Sequence, residues 1–217
     1  MTTSAQVQDV RNVLVLGGSG RTGKQVVVQA LASGRNVAAF VHDPGKLEIT
    51  DTHLTVIAGD AIVPADLRAA LRGQDAVVDT IGSHRVGDRV VSTTTETMVE
   101  AMDRTGVRRV VMMSSFSVAA NFRPTLRDRI LHPTDRSFTS DMATAEAYLR
   151  QSGLDWTIVR APRLRDGEAT GLVRVVDEDA LPDHRHSIVR ADLAGFLLGL
   201  LDRPDAIGRV LVVSGQP

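Results

Sequence analysis

The chain contains no cysteine, which excludes disulfides, thiolate nucleophiles and sulfur-ligated metals at once. It carries no surplus of charge: 25 Lys and Arg against 26 Asp and Glu leave a formal net charge of −1 over 217 residues. A chain so balanced lacks the basic footprint of a nucleic-acid or anionic-membrane binder. No uninterrupted apolar run approaches the ~20 residues of a membrane span. The stretch Met1 to Asp9 lacks the basic-then-apolar plan of a signal peptide, so a cytoplasmic location is expected. No linker-like Pro/Gly/Ser run divides the chain, and one domain is expected over residues 1–217.

What is present is alternation. Short apolar runs recur at Val13–Leu16, Val37–Val41, Leu54–Ala58, Ala76–Ile81, Val110–Met113 and Trp156–Val159, each suited to a strand buried on both faces. Between them, Thr22–Ser33, Pro64–Arg72, Val90–Arg104 and Asp141–Gln151 have helical spacing, and a glycine follows each. The pattern predicts an α/β fold: a doubly wound parallel sheet of Rossmann type with right-handed crossovers. After Arg160 the pattern loosens into strand candidates at Leu172–Val176, Ser187–Val189 and Val210–Val213, with a helix at Asp192–Leu201. This tail is expected to build a small substrate-side lobe on the same sheet.

The strongest local signal is Gly17-Gly18-Ser19-Gly20-Arg21-Thr22-Gly23, where a buried strand runs into glycines at spacings of three and then into a helix. Gly17 permits the tight turn, Gly20 lets backbone approach a pyrophosphate, and Gly23 allows close helix–sheet packing. Ser19, Arg21 and Thr22 complete an anion site at the helix start. At the end of the second strand, His42 and Lys46 with Arg21 form a candidate cationic cup for a 2′-phosphate, which favours NADP. Asp43 lies beside them and is able to serve NAD. Asp60, followed by Ala61 after the third strand, is placed to accept from an adenine amino group, or serves as an ordinary turn residue. Thr80, Ile81, Gly82 and Ser83 end the fourth strand, at the carboxyl edge where ligands of open α/β sheets lie.

Ser114 and Ser115, followed by Phe116, end the fifth strand near the expected nicotinamide position. No Gly-x-Ser-x-Gly elbow surrounds them, so hydrolase chemistry has no support. The stretch 121–136 carries Arg123, Arg127, Arg129, Arg136 and His132, and Arg163 and Arg165 follow the sixth strand. Such a rim suits a small substrate bearing carboxylates or a phosphate, although a solvated surface loop would look the same. His184-Arg185-His186 lacks an evident third ligand, and no metal is expected.

Taken in order, several motifs resemble the atypical short-chain dehydrogenase/reductases of the NAD(P)H-binding, NmrA-like kind, and more closely the biliverdin-IXβ reductase/flavin reductase family. These are the glycine motif, Val41-His42-Asp43 with Lys46, Gly59-Asp60, Gly73-Gln74-Asp75-Ala76-Val77, Gly106-Val107, Leu149 to Leu154, and Ala191-Asp192-Leu193. The resemblance implies an NADPH-dependent reductase of planar conjugated acceptors such as flavins or tetrapyrroles, working as a monomer or weak homo-oligomer. Two departures stand out. Phe138 and Met142 occupy the place of the Tyr-x-x-x-Lys dyad, and His42 stands where the family commonly has arginine. Standard carbonyl reduction and sugar-epimerase chemistry therefore rank low. The expectation is hydride transfer from NADPH, with Ser115 as the catalytic residue and Phe116 and Arg163 holding the acceptor. An NmrA-like redox sensor that binds NADP without turnover is the alternative.

Overall fold

The computed structural model describes residues 10–82, 89–119, 135–176 and 187–215. An eight-stranded sheet has the order β3-β2-β1-β4-β5-β6-β10-β8. Its strands are β1 (Asn12–Leu16), β2 (Asn36–Val41), β3 (Leu54–Ala58), β4 (Ala76–Asp79), β5 (Arg109–Ser115), β6 (Asp155–Ala161), β8 (Arg174–Val176) and β10 (Arg209–Ser214). All neighbours pair in parallel except β8, which lies antiparallel to β10. β7 (Arg163–Arg165) and β9 (Ser187–Val189) form a separate two-stranded parallel sheet.

Strand side chains alternate between two apolar layers, as the pleat requires. Val13, Val15, Val78, Val111 and Val159 meet Val26, Val27 and Ala30 of α1 (Arg21–Ala32) and Leu193 and Leu197 of α5 (Arg190–Leu201). Leu14, Leu16, Val77, Met112 and Ile158 meet the other face. There they pack on Leu67 of α2 (Pro64–Ala70), Met98 and Met102 of α3 (Val90–Thr105), and Met142 and Leu149 of α4 (Asp135–Gln151). The expected Rossmann sheet is therefore present, with helices on both faces.

The structure departs from expectation at four places. β3 was expected to be buried, but it is the sheet's edge and most of its residues are exposed, because it pairs with β2 alone. α4 begins at Asp135 rather than Asp141, because Phe138 packs into the second apolar layer and Asp141 is needed inside the helix. There Asp141 accepts from Val91 N at 2.9 Å and Ser92 N at 3.1 Å, capping α3 across 50 residues of sequence. Leu172 and Val173 stand outside β8, and the substrate-side lobe is split: β8 and β10 extend the main sheet while β7 and β9 leave it. Ser83, residues 121–134, the Arg136 side chain and the 184–186 run lie outside the described residues.

Candidate functional site

The strand order reverses between β1 and β4, the switch point at which ligands of open α/β sheets bind. There Gly17 has φ +76°, a conformation that only glycine adopts readily. Gly20 N donates to Gly17 O at 2.8 Å, closing the turn, and Lys24 N donates to Gly20 O at 2.8 Å, opening α1. A Cβ on Gly23 would overlap the Gly17 carbonyl and stand 2.9 Å from Thr80 Oγ1. Thr80 Oγ1 itself donates to Leu16 O at 2.8 Å, and Ile81 lies within van der Waals reach of Gly17. The loop, the helix start and the end of β4 are thus one packed unit. The first turn of α1 has neither an acidic residue nor a side-chain cap, so its N–H groups and the positive end of the helix dipole face outward. The observed geometry fits a dinucleotide diphosphate.

Across β4, Ser115 closes β5. Its Oγ lies 2.9 Å from Ser117 Oγ, which lies 3.0 Å from Thr139 Oγ1 of α4. Phe116 follows, half-buried, in a single 3₁₀ turn over Phe116–Val118 that Ser115 caps. Ser114 points elsewhere: buried, it donates to Glu146 Oε1 at 2.7 Å. Glu146 is also bonded by Arg160 through Nε at 3.0 Å and Nη2 at 2.8 Å, and by Arg150 at 3.0 Å. Ser114 and Arg160 are directly paired across β5 and β6, so this buried carboxylate fastens α4 to the ends of both strands.

The remaining predicted positions are more dispersed. Gly82 borders open space. Asp60 Oδ1 accepts from Ile62 N at 3.2 Å, making the turn in which half-buried Ala61 sits. His42 and Lys46 are exposed at the end of β2, where Asp43 caps Gly45 and lies 3.8 Å from Lys46. Arg21 does not join them. Its Nη1 instead reaches Asp166 Oδ2 at 3.2 Å, in the loop after β7, so the structure divides the expected cationic cup. Arg163 is exposed on β7 beside Ser187 of β9.

Two carboxyls were not singled out in the sequence. Glu146 is one. The other is Asp79, buried at the end of β4, with Oδ1 accepting from Ile81 N at 2.9 Å and Oδ2 lacking a hydrogen-bond partner. Burial pushes its pKa up to about 7, against the lowering effect of the Ile81 N–H. The signal available for Glu146 was Arg160, a cation inside an apolar strand, which demands a buried acid.

Comparison with known proteins agrees with this architecture. A family model described as NAD(P)H-binding matches residues 17–204. An uncharacterized chloroplastic protein of Arabidopsis thaliana is 30% identical over 187 residues, 79% of this chain and 65% of its own length. ChuY, an anaerobillin reductase of Escherichia coli O157:H7, superimposes with a TM-score of 0.80 at 22% identity, covering 95% of this chain and 99% of that one. A short-chain dehydrogenase/reductase of Veillonella parvula in complex with NADP gives 0.79 at 19% identity, covering 96% and 95%. At such identities the two structures speak for the fold. With the glycine loop built as described and the family match spanning most of the sequence, the chain belongs to the NAD(P)H-binding family and has the Rossmann fold.

Proposed function

We propose that the protein is an NADPH-dependent oxidoreductase that reduces a planar conjugated acceptor of the flavin or tetrapyrrole class. One juxtaposition carries this reading: the open glycine loop after β1 and the Ser115–Phe116 pair after β5 flank β4 at the same edge of the sheet. The bound nicotinamide supplies the hydride. Backbone N–H groups of Gly17 to Gly23 hold the diphosphate, Asp60 and Ala61 border the adenine, and Thr80, Ile81 and Gly82 line the passage toward β5. Ser115 orients the acceptor through its hydroxyl, Phe116 offers an aromatic face to a conjugated ring, and Arg163 supplies a cation for acidic substituents. Ser114 acts indirectly, holding the strand end through Glu146.

Phe138 and Met142 lie on α4; the resemblance matches them to the dyad positions, and neither side chain relays a proton. Rate enhancement then comes from placement, and the proton from solvent or from an acidic position on the acceptor. His42 and Lys46 favour the 2′-phosphate of NADP. The anaerobillin reductase among the structural relatives agrees with a reductase of conjugated substrates.

The test is a parallel titration with NADPH, NADH, NADP⁺ and NAD⁺, read by calorimetry for all four and by nicotinamide fluorescence for the reduced pair, followed by an acceptor screen beginning with flavins. Trp156 serves as a remote control. It sits five residues before Ala161, the partner of Ser115, and so about 16 Å away along β6. NADPH should bind best and be consumed with an acceptor. Exchange of His42 and Lys46 for Ala should weaken NADPH far more than NADH; an equal loss removes the NADP assignment. Binding of oxidised forms alone, with no acceptor reduced, would make the protein a redox sensor. Ser115→Ala with unaltered turnover would take Ser115 out of the mechanism.

A further inference from the structure

Asp166 joins two arginines from different helices. Its Oδ1 accepts from Arg190 Nη1 at 2.7 Å and its Oδ2 from Arg21 Nη1 at 3.2 Å. Arg190 opens α5 and is buried; Arg21 opens α1 directly after Gly20 and is exposed. The loop carrying Asp166 is pinned a second time. Thr170 N and Gly171 N donate to Asp192 Oδ1 at 2.7 and 2.8 Å, and Thr170 Oγ1 donates to Asp192 Oδ2 at 2.7 Å. A carboxylate is thereby held against the one cation of the glycine motif.

That placement opposes the rest of the loop. The first turn of α1 has no acidic residue, and its N–H groups together with Arg21 attract an anion. We infer that Asp166 is a specificity-determining residue, an internal counter-anion that competes with the ligand's diphosphate for Arg21; this rests on the nucleotide-binding reading above. The Arg21–Asp166 contact joins side chains that are 71% and 67% exposed, and such pairs hold weakly. An Arg–phosphate contact is charge-assisted and often bidentate, so diphosphate takes Arg21 over. Arg190, whose side chain is only 10% exposed, keeps its own grip on Asp166. Asp166 lowers the affinity for phosphate-bearing ligands and leaves the adenosine end untouched.

The experiment titrates the full chain with inorganic diphosphate and, separately, with adenosine. Asp166→Asn should bind diphosphate about five-fold more tightly, the scale of one exposed ion pair, with adenosine unmoved. Arg21→Gln should bind diphosphate more weakly, and in the Arg21→Gln/Asp166→Asn double variant the gain should largely vanish, since the two act through one contact. Diphosphate bound no more tightly by Asp166→Asn, or a gain that survives intact without Arg21, overturns the inference. If Asp166→Asn fails to fold because Arg190 loses the charge of Asp166, the Arg21 Nε–H resonance of the wild-type chain, assigned by its loss in Arg21→Gln, gives the answer. Diphosphate must shift it, and an unmoved resonance is a refutation. Failure of the nucleotide reading is separate, since it appears as wild-type protein that binds neither NADPH nor NADP⁺.

Discussion

Asp79 makes stability depend on pH in a direction opposite to most carboxylates. Unfolded, it ionises near 3.8; folded, burial holds its pKa at about 7. Its ladder partners Leu16 and Met112 belong to the apolar layer covered by α2, α3 and α4, and no cation among the described residues is bonded to it. Between these two pH values the folded chain binds a proton that the unfolded chain has released, so the contribution is intact below about pH 4 and is lost as pH rises to about 7. A shift of roughly three units at 1.36 kcal/mol each amounts to about 4 kcal/mol. Asp79→Asn copies the neutral acid in shape and keeps the oxygen that accepts from Ile81 N. It should therefore match the wild type at pH 4 and exceed it by a few kcal/mol, at most about 4, at pH 8. Urea unfolding of both proteins across pH 4 to 8.5 measures this, and other titrating groups cancel in the difference. A difference that stays constant with pH, or a variant less stable at pH 8, would refute the assignment of a neutral buried carboxyl.

Two further outcomes follow from the packing. Glu146→Gln removes a buried charge bonded to the Arg160 guanidinium and should cost about 3–5 kcal/mol in chemical denaturation, whereas Glu146→Leu with Arg160→Met should lie close to wild type. Gly23→Ala drives a methyl group into the Gly17 carbonyl. It should cost about 1–3 kcal/mol by overpacking and weaken NADPH at least ten-fold in a fluorescence titration; unchanged nucleotide affinity would detach Gly23 from the cofactor loop.

The sheet and glycine loop were legible because their signals are local. Val13 to Gly23 specifies strand, turn and helix in eleven consecutive residues, and the same residues build the loop in space. β7 was not legible: Arg-Leu-Arg has no strand pattern, and it is extended only because β9, some 22 residues on, lies beside it. Arg21 was grouped with His42 and Lys46 on proximity in the fold's plan, and nothing in the sequence announces a partner 145 residues away. Glu146 and Arg150 read as an ordinary i,i+4 pair on a solvated helix face, yet Arg160 turns the acid inward. Asp79 stands inside the run Ala76–Ile81, and nothing in the sequence sets it apart from its neighbours. Its burial is decided by α2, α3 and α4, which are assembled from distant segments.

α4 is held at two points along its length. Asp141 grips the start of α3, and Glu146, five residues on, grips β5 and β6. Sliding or turning this helix would strip a buried carboxylate of its partners, so α4 is set like masonry. By contrast, the end of β7 and the 166–171 loop are exposed and, among the described residues, tied down mainly through Asp166 and Asp192. Under the proposed function, in which Arg163 holds the acceptor, variants selected for bulkier acceptors should collect changes between Arg163 and Gly171 while leaving α4 as it stands.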